Sequence, residues 1–197
     1  MPLDFLTVFI SMFVIIDPLI AIPTFLALFG KADRAKQKKA ALTASVAALL
    51  LLVVFAAFGT AILERMSISL PAFMVAGGIL LLYISFEFIK GELPRTRTVE
   101  KDASDVIVPV ATPLLAGPGA ITTSIYFTHI YGADVTLAAI FFVCFFCFFF
   151  LYYSTRILKV VGNNGLRILT RIMGILTAAI AISLIEKALI VWGVLAI

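Results

Sequence analysis

The sequence predicts an all-α membrane protein: six transmembrane helices in two inverted three-helix repeats, with helices 1 and 4 broken near mid-membrane. Three observations predict it. First, hydrophobic residues make up 63% of the 197 and charged residues 13%, with a mean hydropathy of +1.18. A soluble domain is nearer half apolar and a quarter charged, and could not cover so large an apolar share with polar surface. Second, the apolar residues fall into runs of about 20, the length that crosses the hydrocarbon core. Third, two stretches in opposite halves read almost alike. IDPLIAIP runs from Ile16 to Pro23 and ATPLLAGP from Ala111 to Pro118, so Pro-Leu-x-Ala-x-Pro recurs 95 positions later.

Taken in order, the predicted spans are Phe5 to Phe29, Ala40 to Leu63, Pro71 to Ile89, Val106 to Ile130, Val135 to Thr155, and Ile172 to about Trp192. The start, Met-Pro-Leu-Asp, lacks a basic region and the apolar run after it is too long for a cleavable signal, so span 1 is expected to stay in the mature protein. Span 5 carries the only cysteines, Cys144 and Cys147, as a CxxC inside FVCFFCFFF. A redox pair needs a helix N-terminus or nearby positive charge. Without either, these read as small apolar filler. The run from Phe141 to Phe150 reads as a lipid-facing surface. The longest links, Lys90 to Asp105 and Arg156 to Arg171, are too short for another domain. The chain therefore reads as a single membrane domain, 1–197, with repeat one about 1–92 and repeat two about 104–197.

Orientation follows from Lys and Arg. Thirteen of the 15 fall in loops 1–2, 3–4 and 5–6; only Arg65 and Lys187 remain for the other side. With six spans, both termini lie outside the cytoplasmic membrane. The net charge of +4 sits in these short loops, so no nucleic-acid partner is expected; the bilayer and a small-molecule substrate are.

The duplication extends past the proline motifs. GGILLLYIS from Gly77 in span 3 matches MGILTAAIA from Met173 in span 6, with Gly78 on Gly174. A three-span unit must insert its second copy upside down, the plan of many secondary transporters, whose site lies at the repeat interface near mid-membrane. Gly77, Gly78 and Gly174 themselves read as close-packing positions.

Proline lacks an N–H and clashes with the preceding turn, so Asp17-Pro18 and Thr112-Pro113 are expected to interrupt their helices. Pro23 and Pro118 suit the first turn of a new half-helix, and Gly117 and Gly119 loosen the second break. Unpaired backbone in a bilayer survives only against protein or a water-filled cavity. Half-helix N-termini near Pro23 and Pro118 would face a carboxylate, with donors from Gly117 to Ala120. Free carbonyls near Ile16 and Ala111, with Asp17, would face an ammonium or a cation. An amino-acid zwitterion fits such a site.

Asp17 lies about 18 Å along the helix from Phe5, near mid-bilayer. Intramembrane carboxylates mark ion or substrate paths, although capping of the break is a compatible role. Thr122, Thr123 and Ser124 either bind a substrate or coupling ion, or bond back to the preceding turn; Thr122 and Thr123 cannot face the same way. Glu186 and Lys187 mark either an outer vestibule or the end of span 6. His129 has no specific role. One carboxylate and no His at depth leave an intramembrane hydrolase without its groups, and no metal site or enzymatic activity is expected.

At these residues the chain resembles the MarC family of six-span membrane proteins, which includes the SnatA-type transporters. The matching residues are Asp17-Pro18 with Pro23-x-Phe25, VPVATPLLAGPGAITT from Val108 to Thr123, and RIMGILTAAIA from Arg171 to Ala181. The resemblance covers nearly the whole chain. It implies a bacterial or archaeal inner-membrane protein moving small neutral amino acids such as glycine and alanine. It places Asp17, Pro18, Pro23, Pro113, Gly117, Pro118 and Gly119 where the family's two broken-helix motifs stand. The sequence departs from the family at Ile20, where Gly is usual, and at Ser183, where Gln is frequent.

The expected function is alternating-access transport of a small neutral amino acid. No cofactor is expected beyond a coupling ion, Na⁺ or H⁺. An exporter or channel-like pathway for another solute is the alternative, and a structural or regulatory membrane protein the third. Substrate, ion, direction and homo-oligomeric state stay open.

Overall fold

The computed structural model describes residues 2–30, 32–90 and 115–195. Every element among them is a helix: α1 (Pro2–Ile16), α2 (Pro18–Phe29), α3 (Arg34–Arg65), α4 (Leu70–Lys90), α5 (Pro118–Tyr131), α6 (Ala133–Tyr152) and α7 (Ser154–Val191). Thr112, Pro113, the first half of predicted span 4 and most of loop 3–4 lie outside the described residues. Among the described residues four helices are long and apolar enough to cross a membrane: α3, α4, α6 and the Asn164–Val191 part of α7. Large apolar side chains such as Leu50, Phe58, Ile79, Phe86 and Ile175 stand exposed along them, as lipid-facing residues do.

Local chemistry sets the helix ends. Asp33 caps α3, its carboxylate accepting the Lys36 N–H at 2.7 Å. Gln37 donates to the carbonyls of Phe29 and Ala32 at 3.0 and 3.1 Å, so the α2–α3 connection is a tight turn. α3 ends in a Schellman motif, with Ser67 left-handed at φ 57° and the Ile68 N–H donating to the Leu63 carbonyl at 2.9 Å. Gly132, at φ 87°, turns α5 into α6.

Two predicted boundaries move. The basic loop before span 2 is mostly helix, because α3 starts at Arg34. The predicted loop Arg156 to Arg171 is helix too, interrupted at Gly162 with φ 71°. Lys and Arg are good helix formers, so helices extend past the hydrocarbon edge and carry their charges with them.

Small residues let the helices approach. α4 packs along α7, where a Cβ on Gly78 would sit 3.0 Å from the Ala181 carbonyl and one on Gly174 would sit 3.0 Å from Phe88. α3 lies on α6 and α5, and its buried residues include a run of small ones, Ala40, Ala41, Ala44 and Ala48. Association in lipid rests on such packing, since the tails are as apolar as the side chains. Cys144 and Cys147 are buried free thiols in this core. The phenylalanine run is largely exposed, at Phe141, Phe142, Phe145, Phe146 and Phe149, and Phe142, Phe146 and Phe150 also meet Phe5, Phe9 and Phe13 of α1 at 5.9, 5.9 and 6.0 Å. Each such pair contributes about 0.5–1.5 kcal/mol beyond area burial.

Candidate functional site

The first break is one residue long. Pro18 disfavours the right-handed helical region at the residue before it, and Asp17 stands there at φ 43°. Asp and Asn are the residues that adopt left-handed geometry at least cost after glycine. The neighbouring bonds persist: the Asp17 N–H donates to Phe13 at 3.0 Å and the Ala21 N–H to Asp17 at 3.4 Å. Asp17 is buried, within electrostatic range of Cys147 on α6.

The new helix therefore starts at Pro18, and the expectation that Pro23 opens it is corrected. Pro23 lies inside α2, where it leaves the Leu19 carbonyl without its helical N–H partner. Unwinding reaches no further than Asp17, because Pro18 already supplies the fixed φ that a first turn needs. Ile20 is helical in backbone; its side chain lies outside the described residues.

The second break follows the prediction at its described end. Gly117 is extended at φ −68° and ψ 171°, Pro118 is the first helical residue, and no side chain caps α5. The N–H groups of Gly119 and Ala120 thus belong to an uncapped first turn. A Cβ on Gly119 would collide with the Leu81 side chain, so α4 closes over this turn.

α5 is buried nearly all round, from Gly119 through Phe127, and packs against α1, α3, α4 and α6. A helix of 14 residues with four Ser and Thr hydroxyls and two Tyr hydroxyls survives in a membrane because protein surrounds it. Its hydroxyls divide. Thr122 bonds back to the Pro118 carbonyl at 2.8 Å and packs on Gly77; Ser124 bonds back to Ile121 at 2.7 Å. Thr123 faces the other way, buried, its hydroxyl without a hydrogen-bond partner among the described residues.

Thr123 lines a cavity of about 100 Å³ between α1, α5 and α7, with Thr7, Ser11, Tyr126, Tyr131, Ser183 and Lys187. The Lys187 ammonium sits 5.1 Å from the Tyr126 ring centroid. The cavity opens at the end of the bundle where α1 begins and α5 and α7 end. Its deep residues approach both breaks: Ser11 is about 9 Å along α1 from Asp17, and Thr123 about 8 Å along α5 from Pro118. Of the predicted site residues that are described, the cavity holds Thr123 alone. Asp17, Pro18, Pro23, Gly117, Pro118, Gly119, Ala120 and Thr122 do not line it. Thr7, Ser11 and Tyr126 were not singled out from sequence; hydroxyls at i and i+4 on one face of α1 were the available signal. Lys187, unplaced from sequence, stands at the mouth, and Ser183 is among the lining residues. Among the described residues no cluster of metal-ligating side chains occurs.

Broken helices beside a hydroxyl-lined cavity describe many membrane proteins; the sequence comparisons are more selective. The pattern of MarC family integral membrane proteins matches residues 3–192. The chain belongs to the MarC family. A UPF0056 membrane protein of Methanocaldococcus jannaschii is 36% identical over 195 residues, covering 94% of this chain and 95% of that one. One from Aquifex aeolicus is 33% identical, covering 94% and 92%, and one from Escherichia coli is 30% identical, covering 90% and 87%. MarC membership thus applies to the whole chain, and both breaks and every cavity residue lie inside the matched range. No solved structure matches it.

Proposed function

We propose that this MarC protein is a secondary transporter of small neutral amino acids, glycine or alanine in size, working by alternating access across the cytoplasmic membrane. The observation that carries the proposal is a cavity that runs from Lys187 to Thr123, whose buried hydroxyl has no partner among the described residues, in the direction of two broken helices. A buried hydroxyl without a partner costs about 1–3 kcal/mol, a cost that a bound polar solute removes. The cavity is far smaller than the roughly 300–1,000 Å³ of drug-sized sites, which favours a small solute. Lys187 at the mouth suits the substrate carboxylate. The uncapped turn at Gly119 and Ala120, covered by Leu81 and beyond the cavity lining, would be a second carboxylate partner once uncovered, and Asp17 suits the ammonium or a coupling Na⁺ or H⁺.

Helix pairing supports the inverted-repeat reading. If spans 1–3 and 4–6 exchange, the α3–α5 contact becomes α6–α2, and α4–α5 becomes α7–α2; all four pairings occur, and α3–α6 and α4–α7 map onto themselves. On this reading α1 with α2 is span 1 and α5 the second half of span 4. Buried, unpaired threonine hydroxyls about two turns after each break, Thr24 and Thr123, support a polar path on both sides of the centre. The positive-inside rule puts the α2–α3 turn inside and both termini outside.

The test is uptake of labelled glycine and alanine into proteoliposomes under imposed Na⁺ or H⁺ gradients. Saturable uptake accelerated by one gradient is expected. Folded protein that moves neither amino acid contradicts the proposal, and non-saturating flux assigns a channel-like pathway.

A further inference from the structure

A second cavity, of about 270 Å³, lies at the opposite end of the bundle. The α2–α3 turn supplies Gly30, Arg34 and Gln37; the start of α7 supplies Arg156 and Lys159, beside Tyr153. Three cations from opposite halves of the chain face one space, and among the described residues no acid lines it. The nearest acid in sequence, Asp33, is turned to cap α3. Arg156 is held 5.4 Å from the Tyr153 ring centroid, which orients its guanidinium. The N-terminal end of α3 adds its positive dipole. Like charges gathered this way repel unless an anion sits between them, and the guanidinium fork matches phosphate oxygens.

We propose that this cavity binds a phosphate group, presented by an anionic phospholipid or free in solution. Its position favours the lipid. It lies where α2 and α6 end, beside paired tyrosines of the kind that gather at membrane interfaces, and next to Val160, which is 86% exposed. Basic pockets between helices on the cytoplasmic side bind lipid headgroups. A phosphate there would tie the α2–α3 turn to the first turns of α7, so one lipid would staple the two halves together.

Native mass spectrometry of the full-length protein tests this, with phosphatidylglycerol and phosphatidylcholine titrated in turn. Wild type should retain phosphatidylglycerol preferentially, and affinity should fall about fivefold for each charge removed in Arg34→Gln/Arg156→Gln/Lys159→Gln. Arg167→Gln/Arg171→Gln removes two exposed charges of α7 outside the cavity and should change little. Lys159→Gln alone serves should the triple variant misfold. Retained lipid that millimolar inorganic phosphate cannot displace assigns the lipid as source. Inorganic phosphate that binds wild type but not the variant, without lipid preference, assigns the free ion. Retention unchanged in both Lys159→Gln and the triple variant, or falling equally in the Arg167/Arg171 control, overturns the site.

Discussion

The two helix breaks carry nearly the same motif and solve different problems. At Asp17 the chain bends through one left-handed residue and keeps the flanking hydrogen bonds at 3.0 and 3.4 Å. A carboxyl group is placed in the membrane, while the last carbonyls of α1 and the Leu19 and Ile20 N–H groups of α2 become helix-end groups. At Gly117 the backbone is extended and the following turn has no cap. No charged side chain stands at this break among the described residues, and the first-turn N–H groups are its polar feature. The first break thus adds a carboxyl side chain to its helix ends, whereas the second, as described, has backbone alone. Two ends of one zwitterion can use both, whereas two identical breaks would present the same chemistry twice.

Removing the charge at the first break should have the largest effect. Asn tolerates left-handed geometry as Asp does, so Asp17→Asn should keep the fold while gradient-driven uptake falls more than about a hundredfold, roughly 2.7 kcal/mol. Unchanged uptake would make Asp17 a backbone device only. The second break depends on close packing behind it. Gly77→Val collides with Thr122 and should destabilise the detergent-solubilised protein by about 1–3 kcal/mol, read as a lower melting temperature. Thr123→Val removes the buried hydroxyl of a cavity-lining residue and should raise the KM for transport about fivefold, the worth of roughly 1 kcal/mol. Thr122→Val, which loses only a bond to its own helix, should leave KM in place. The smallest contrast separates the prolines. Pro23→Ala lets an N–H reach the Leu19 carbonyl and should stabilise by up to about 1 kcal/mol, while Pro118→Ala, at a position with no helical acceptor, should stay within about 0.5 kcal/mol.

Legibility followed the same division. The break at Asp17 and the helix start at Pro118 were readable because proline acts on its neighbours through covalent geometry. The role of Pro23 was not, because either Pro18 or Pro23 could open the second half-helix and only the φ of Asp17 decides between them. The membrane class and the central place of the small residues were readable from composition and spacing. The helical extent of the basic segments was not, since charge marks the membrane edge and says nothing of where a helix stops. The cavity was legible only through Thr123 and the outer-vestibule reading of Lys187. Its other polar lining comes from Thr7 and Ser11 of α1, Tyr126 and Tyr131 of α5 and Ser183 of α7, residues far apart in sequence that packing alone brings together.

The central claim is that the cavity beside α1 is the outer part of a substrate path. Ser11→Cys tests it most directly, because Ser11 lines the cavity and both native thiols are buried. A membrane-impermeant maleimide added outside should label this cysteine, and glycine or alanine should slow labelling about tenfold at saturating concentration. A Ser11→Cys protein that is folded yet never labelled, or is labelled at a rate neither amino acid changes, would contradict the account.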